Sequence, residues 1–287
     1  MIYVKQFKLL KEEQESYVSG SDPRKIYVSY YPLGIFSFKR FYKIEFENIT
    51  IFYGGNGSGK TTLLNIISQK LNATRKSSID KGNYFDIYVG YCQYEMTREK
   101  PNEIKRITSD DIFDYLLDIR SINKHVNRRK EEIGKDYVDY KYSLNSNAIS
   151  IEDYEQIKNA NEARKKTMSS FIRNRLTNNN IIEQSNGESA LMFWEKEITE
   201  NSVYILDEPE NSLSAENQIK LKQFIEESSR FYNCQFIIST HSPFLLGLKD
   251  AKIYDLDEIP VKDKKWSELK NVKIYYDFFK ENEKDFE

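Results

Sequence analysis

Apolar and polar residues in the first third of the chain follow patterns that predict strands around one glycine-rich turn. Near-alternation over residues 35–51 predicts strands that lead into this turn, and helical spacing over 61–71 predicts a helix after it. Alternation also predicts a strand at 26–31. β-branched and aromatic residues predict a further strand at 86–93.

The last third alternates between strands and helices. Short apolar runs at 202–206, 234–240 and 252–256 predict strands buried on both faces, and residues 214–227 are typical of a helix. Strands that alternate with helices predict an α/β fold with a largely parallel sheet flanked by helices.

The middle of the chain is polar, low in glycine and helical in pattern from residue 109 to 176. We expect one domain over 1–287, with a short helical subdomain at 109–180 and a C-terminal extension at 258–287. Residues 120–175 hold 13 Lys or Arg against 8 Asp or Glu, a net charge of +5. This excess fits either a solvated helical face, which we favour, or a surface that contacts phosphates.

Composition excludes several classes of protein. The 287 residues include 43 Lys or Arg and 45 Asp or Glu, a net charge of -2, which excludes a generally basic nucleic-acid coat. No apolar run approaches the roughly 18 residues of a membrane span. Two distant cysteines, Cys92 and Cys234, predict neither a disulfide framework nor a zinc site. We therefore expect a cytoplasmic protein.

The strongest chemical motif is the glycine-rich turn at 54–61, which fits the P-loop pattern G-x-x-x-x-G-K-[ST]. Glycines let backbone N–H groups surround phosphates, and the following helix adds positive charge at its N-terminus. Lys60 is expected to reach the β- and γ-phosphates, and Thr61 to ligate Mg²⁺. The predicted nucleotide contacts are Gly54, Gly55, Asn56, Gly57, Ser58, Gly59, Lys60, Thr61 and Thr62.

Polar residues at the ends of the later strands form the other motifs. Asp207 and Glu208 end one apolar strand, where the pair can hold Mg²⁺ and polarise an attacking water. His241 follows a strand expected to lie next to it, and could touch a γ-phosphate. Ser185 and Gly187 precede a helical run at 190–198, and such a helix N-terminus can bind an anion.

These elements, in this order, resemble the ATP-binding cassette (ABC) ATPases. The turn at 54–61 matches Walker A, Asp207 and Glu208 match Walker B, and His241 matches the switch histidine. Residues 185–189 resemble the signature, residues 211–214 the D-loop, and Gln93 is the best candidate for the Gln loop.

Two branches of this family are open. The segment SNGES departs from the transporter signature LSGGQ, and DEPENSLS with STHSPF is more similar to the non-transporter SMC, RecF and OLD-like ATPases. Only about 90 residues separate Gln93 from the signature, so a short helical subdomain replaces a long coiled coil. We favour a compact stand-alone AAA-type ATPase; the alternative is the nucleotide-binding subunit of a membrane transporter.

The resemblance implies a Mg²⁺-dependent ATPase that forms a homodimer on binding ATP. Ser185 and Gly187 of one chain would cap the γ-phosphate held by Lys60 of the other. Glu208 would orient the attacking water, Gln93 and Asp207 would complete the Mg²⁺ shell with Thr61, and His241 would contact the γ-phosphate. Nucleic acid or an effector protein is the expected partner. An aromatic from Phe36, Phe38 or Tyr42 is a candidate to stack on adenine.

Overall fold

The computed structural model describes residues 1–20, 29–79, 81–142, 151–175, 186–211 and 213–286. It divides into two compact units, one formed by Met1–Phe113 with Asn186–Glu287 and the other by Asp114–Ser185. No helix in these described ranges is both long and apolar enough to cross a membrane.

The first unit begins with short strands and helices on both sides of the P-loop. In chain order these elements are β1 (Val4–Lys8), α1 (Glu12–Gly20), α2 (Ile35–Phe38), β2 (Lys43–Glu45), β3 (Ile49–Tyr53), α3 (Lys60–Lys70), α4 (Phe85–Tyr91), β4 (Gln93–Met96) and β5 (Ile104–Thr108).

The second unit is helical where the structure describes it, and the chain then returns to the first. Helix α5 (Ser109–Tyr142) enters it, followed by α6 (Ile151–Lys165) and α7 (Met168–Arg175). The returning elements are α8 (Asn186–Glu197), β6 (Val203–Asp207), α9 (Ala215–Phe231), β7 (Gln235–Ser239), α10 (Pro243–Leu246), β8 (Lys252–Asp255), β9 (Lys262–Lys264) and α11 (Lys270–Glu281).

The main sheet has the strand order β5-β6-β7-β3-β8-β9 and is parallel except for β9. Every residue of β3, β6 and β7 is buried, because helices cover both faces of a parallel sheet. The predicted α/β fold with a largely parallel sheet is confirmed. Its strand order places the carboxyl ends of β6, β7 and β3 side by side.

Helix α3 packs against β6 and β7 beneath the P-loop. Its apolar face consists of Leu63, Leu64, Ile66 and Ile67, all of them fully buried. Burying each such side chain contributes about 1.5–3 kcal/mol. The P-loop is therefore held between a buried strand and a buried helix.

A second, antiparallel sheet has the order β2-β1-β4. The buried side chain of Gln235 joins it to the main sheet: Oε1 accepts from the backbone N–H groups of Tyr3 and Val4, at 2.9 and 2.8 Å, and Nε2 donates to the carbonyl of Val4 at 2.9 Å. Both sheets thus meet around one satisfied polar side chain.

Two strand predictions were wrong, and one falls half outside the described residues. Residues 85–91 form a helix, because Phe85, Tyr88, Val89 and Cys92 are buried at helical spacing. Residues 35–38, at the start of the predicted strand region, also form a helix that buries Phe36. Half of the strand predicted at 26–31 lies in residues 21–28, which the structure does not describe, and residues 29–31 do not form a strand.

Candidate functional site

The turn between β3 and α3 has the backbone that a phosphate-binding loop requires. Gly57 and Gly59 have φ angles of 79° and 96°, a left-handed conformation that other residues adopt only with strain. A Cβ on Gly54 would lie 2.5 Å from Ser58 Oγ, so only glycine fits there. Asn56 is exposed on the turn, and Thr62 is half-buried in the first turn of α3.

Two observations show that this loop fits a phosphate chain. The Oγ of Ser58 is buried without a hydrogen-bond partner in the described chain. Lys60, only 5% exposed, donates from Nζ to the carbonyls of Gly54 and Gly55 at 2.8 and 3.1 Å. An unpartnered hydroxyl, a buried ammonium and the N-terminus of α3 all favour an anion at this position.

Asp207 lies at the carboxyl end of β6 and its two oxygens face different partners. Oδ1 accepts hydrogen bonds from Ser239 Oγ at 2.5 Å and from Thr61 Oγ1 at 3.3 Å. Oδ2 accepts one from Arg106 Nη2 at 3.2 Å. The Thr61 hydroxyl and a carboxylate oxygen are thus adjacent, as oxygen ligands of Mg²⁺ must be.

Arg106 is a buried cation that sequence reasoning missed. It lies on β5, is 4% exposed, and its Nε has no partner in the described chain. Burial lowers the pKa of Arg106, while the neighbouring Asp207 carboxylate acts in the opposite direction. The pairing follows from the register, since Thr108 lies beside Asp207 and Arg106 beside Ile205. A single arginine in a strand that also contains Lys105 and Thr108 carries no motif that would have identified it.

Glu208 is held in a strained backbone conformation directly after the strand. Its φ is 48°, and its N–H donates to the carbonyl of Ser239 at 3.0 Å. Oε1 lies 3.7 Å from Lys60 Nζ and 3.7 Å from His241 Nδ1, while Oε2 accepts from Asn211 Nδ2 at 3.2 Å. A left-handed non-glycine residue costs on the order of 1–3 kcal/mol and is typical of functional sites. This carboxylate is only partly buried and can accept a proton from water.

Glu210 is a second missed residue, and it organises the loop that carries His241. It is 5% exposed, and its Oε1 accepts from Thr240 Oγ1 at 2.6 Å and from the N–H groups of His241 and Ser242 at 3.0 and 3.2 Å. Burial raises the pKa of Glu210. Its position two residues after Glu208 was the available signal, but only the fold shows that it contacts the β7–α10 loop.

A cavity of about 270 Å³ adjoins these groups. Thr61, Arg106, Asp207 and Glu208 line it, and Asp110 lines it from the carboxyl end of β5. Gln93 is absent from this lining: it is the first residue of β4, in the antiparallel sheet, where it pairs with Lys8. The structure therefore does not bring Gln93 to the site and places Asp110 there instead.

Within the described residues no cluster of three or more His, Cys, Asp or Glu side chains could hold a metal ion by itself. Mg²⁺ is commonly bound by one or two carboxylates together with substrate phosphates and water. Thr61 and Asp207 fit that pattern.

The signature and adenine predictions have mixed outcomes. Ser185 lies outside the described residues, and Gly187 lies in the first turn of α8, which begins at Asn186. Phe36 is fully buried and packs beside Gly59, so it cannot stack on adenine. Phe38 is 71% exposed and Tyr42 half-buried, so both remain candidates.

Two family models match overlapping parts of the chain. Residues 41–211 match the family model described as ABC transporter, and residues 188–246 match one described as AAA ATPase domain. No curated protein matches the chain in a sequence search.

Among solved structures, the chain is similar to an inward-facing metal-chelate type ABC transporter, with 16% identity, coverage of 80% of this chain and 78% of the other, and a TM-score of 0.38. It is also similar to a dimeric ATP-binding cassette in a post-hydrolysis state with ADP and Pi, with 17% identity, coverage of 78% and 88%, and a TM-score of 0.37. An SMC head bound to the C-winged helix domain of ScpA gives 16% identity, coverage of 78% and 92%, and a TM-score of 0.37.

Proposed function

Since the chain belongs to the ABC transporter family of ATP-binding cassette domains, we propose that it is an ATP-hydrolysing switch protein. In this proposal ATP joins two copies into a homodimer, and hydrolysis separates them. The switch acts on nucleic acid or controls a partner effector protein.

One observation carries the proposal: Glu208 Oε1 lies 3.7 Å from both Lys60 Nζ and His241 Nδ1. Lys60 belongs to the P-loop, so a triphosphate held there would end beside this carboxylate. Glu208 is the general base that takes a proton from the attacking water, and His241 contacts the γ-phosphate. Base assistance of this kind contributes about 10²–10⁴ in rate.

Mg²⁺ would be held by Thr61 and Asp207, with Asp110 supplying the third position that Gln93 was expected to supply. When bound, the ion neutralises charge on the phosphates. Arg106 holds Oδ2 of Asp207, which leaves Oδ1 beside Thr61.

A complete site requires the second copy. Ser185 and Gly187 of one chain would approach the γ-phosphate held by Lys60 of the other, through the N-terminus of α8. An arrangement of this kind is isologous and buries two nucleotides.

The branch of the family remains a proposal as well. The sequence DEPENSLS with STHSPF, and the departure of SNGES from LSGGQ, support the non-transporter SMC, RecF and OLD-like branch. The second candidate, a transporter subunit, is favoured by the description of the matched family model. It would require a membrane-spanning partner from another chain.

The test compares Glu208→Gln with Lys60→Ala. Without its base, Glu208→Gln is expected to bind Mg²⁺–ATP as the wild type does, to hydrolyse it about 10²–10⁴ times more slowly, and to accumulate as an ATP-dependent dimer. Lys60→Ala is expected to lose nucleotide affinity and the dimer together. Nucleotide titration, phosphate release and light scattering after size exclusion measure these results. The exposed Glu216→Gln is the matched control and should behave as wild type.

Two results would contradict the proposal. The first is nucleotide affinity unchanged in Lys60→Ala, and the second is a Glu208→Gln protein that stays monomeric in saturating ATP.

A further inference from the structure

Helix α11 carries a stripe of large apolar side chains that are about half exposed in the described chain, although Phe279 has Phe286 beside it, with 6.1 Å between the ring centroids. Ile274 and Phe278 form one line along the helix, and Tyr275 and Phe279 form a second, at the i, i+4 spacing of a single face. These four side chains are between 44% and 59% exposed, and Val272 alone is buried among the residues of α11.

A helix of this size is not stable by itself. Isolated helices shorter than about 12–15 residues are marginal in water, and most helices gain their stability by burying an apolar face. Contiguous exposed apolar patches are typical of interaction sites. The stripe therefore predicts a partner that covers it.

Charges along one edge of the stripe identify the partner. Lys270, Lys273, Asp277 and Glu281 follow one another at spacings of three and four residues, next to Ile274 and Phe278. The N-terminal half of this edge is positive and the C-terminal half negative. Lys280, the remaining charged residue of α11, lies toward Tyr276, with its Nζ 5.7 Å from the centroid of that ring. None of the four side chains of the edge forms an ion pair within the described chain. The charges of this edge are therefore complementary to those of a second copy of the edge that runs in the opposite direction.

A two-fold axis provides that reversal. In an antiparallel helix pair, each edge of the stripe meets the same edge of the partner running in the opposite direction. Both lysines would then face the two acids of the other copy, while the four apolar side chains are covered. A parallel pair would instead place the lysines against the other edge, which carries Val272 and Tyr276.

The root of α11 connects this surface to the candidate site. Asn271 donates from its backbone N–H to Tyr53 Oη at 3.1 Å and from Nδ2 to the carbonyl of His241 at 2.9 Å. Tyr53 is the last residue of β3, so the helix starts at the edge of the sheet where the nucleotide would bind.

We propose that α11 pairs antiparallel with α11 of a second copy of this chain. The pairing needs no nucleotide and is separate from the ATP-dependent dimer proposed above. Because the α11 pairing keeps two copies together, each copy meets the other at a higher effective concentration. ATP can therefore join the two candidate sites more readily.

The first test is sedimentation of the full chain over a concentration series without nucleotide. The wild type is expected to form a dimer, and Phe278→Lys to raise the dimer dissociation constant about thirtyfold, because it places a charge in the centre of the stripe. Phe231→Lys, at the end of α9, is the matched control outside α11, with a side chain that is 69% exposed. It should associate as the wild type does, and circular dichroism checks that each variant is folded.

The second test uses charge reversal. Lys270→Glu with Lys273→Glu is expected to weaken association, and adding Asp277→Lys with Glu281→Lys to restore it, because both halves of the edge are then reversed together. In an oxidised mixture, Lys270→Cys and Glu281→Cys proteins should form mixed disulfides in preference to self-linked ones. The native thiols will not interfere, since burial raises the pKa of Cys92 to about 12 and of Cys234 to about 11.

Several results would overturn the proposal. The wild type could be monomeric at every concentration, or Phe278→Lys could leave the dimer intact. The quadruple charge-reversal variant could also associate no better than the double variant Lys270→Glu with Lys273→Glu. A monomeric chain that binds lipid vesicles or a different protein through α11 would also overturn it. Lys60→Ala separates the two proposals, since it should abolish the ATP-dependent dimer and leave the α11 pair unchanged.

Discussion

At the scale of single residues, the candidate site depends on charges that lie close together in a buried setting. Arg106 and Asp207 form a buried pair, and the buried Lys60 ammonium lies 3.7 Å from the partly buried Glu208 carboxylate. Interactions between buried charges are stronger than those at the surface, and removing one partner leaves the other uncompensated. Substitutions of Arg106 and of Glu210 should therefore each change the stability of the protein in a way that can be measured.

Arg106→Ala is expected to lower the free energy of unfolding by about 3–5 kcal/mol, because it removes the buried partner of Asp207. Urea denaturation measures the change. Arg129→Ala is the control, since that side chain is 65% exposed in its pair with Glu132, and surface pairs contribute about 0–1 kcal/mol. Equal effects of the two substitutions would contradict a structural role for the buried pair.

Glu210→Gln should change the pH dependence of stability. Burial raises the pKa of Glu210, so the folded protein keeps this proton to a higher pH than the unfolded chain does. Its contribution to stability is complete below about pH 4 and is lost as the pH rises through the raised folded value. As the pH rises from about 4 through the raised folded value, the stability difference should therefore move in favour of the variant.

The control for this prediction has the opposite sign. Lys220 lowers the pKa of the exposed Glu216, so the Glu216 carboxylate contributes stability above its unfolded pKa. The stability of Glu216→Gln should consequently move slightly against the variant over the same range. If the stability of the two variants changed with pH in the same direction, Glu210 would not keep its proton to a higher pH in the folded protein.

At the scale of elements, strand order decides which segment lies next to Thr61 and Asp207, where Mg²⁺ is proposed to bind. β5 lies next to β6 in the main sheet, so its carboxyl end reaches Asp207, whereas β4 belongs to the antiparallel sheet. Sequence reasoning chose Gln93 because it took residues 86–93 for a strand ending there. Residues 85–91 instead form α4, whose apolar positions also fit a short strand by composition, and Gln93 begins β4.

Two substitutions distinguish these elements. Gln93→Ala should leave the Mg²⁺ concentration for half-maximal ATP binding unchanged, while Asp110→Ala should raise it about tenfold, a typical effect for a group that supports a metal. Asp114→Ala, an exposed aspartate on the same helix α5, is the matched control. Calorimetric titration with Mg²⁺ and ATP measures this, and a dominant effect at Gln93 would contradict the role of β5.

At the scale of the whole molecule, charge is distributed unevenly. Residues 120–175 carry +5 in a chain of net charge -2, so the remainder is acidic. If the helical unit contacts phosphates, as the proposed action on nucleic acid would require, binding must weaken steeply with salt because counterions are released.

We expect retention of DNA or RNA at about 50 mM salt to fall by at least tenfold at about 200 mM. Replacing Arg128, Arg129 and Lys130 by alanine should weaken it, whereas alanines at the exposed Lys5, Lys8 and Lys11, with the same loss of charge, should not. Gel retention measures both. Equal effects of the two triple variants would favour a solvated helical face, and partner control would then be the remaining form of the proposed switch.

Sequence alone determined the features that depend on neighbours in the chain. A buried strand, a glycine turn and a helix follow one another within residues 49–70, and each has its own local pattern. The three strands that lead to Lys60, Glu208 and His241 could be expected to end at one edge of the sheet, because parallel strands share their direction.

Tertiary structure decided the rest. The pairing of Arg106 with Asp207 and the contacts of Glu210 join residues 101 and 30–32 positions apart, and they depend on strand order and register. The exposed stripe of α11 also depends on the fold, since an amphipathic pattern shows that a helix has an apolar face and not whether this chain covers it. Such features arise from packing between distant segments, and local sequence patterns carry no record of which segments will meet.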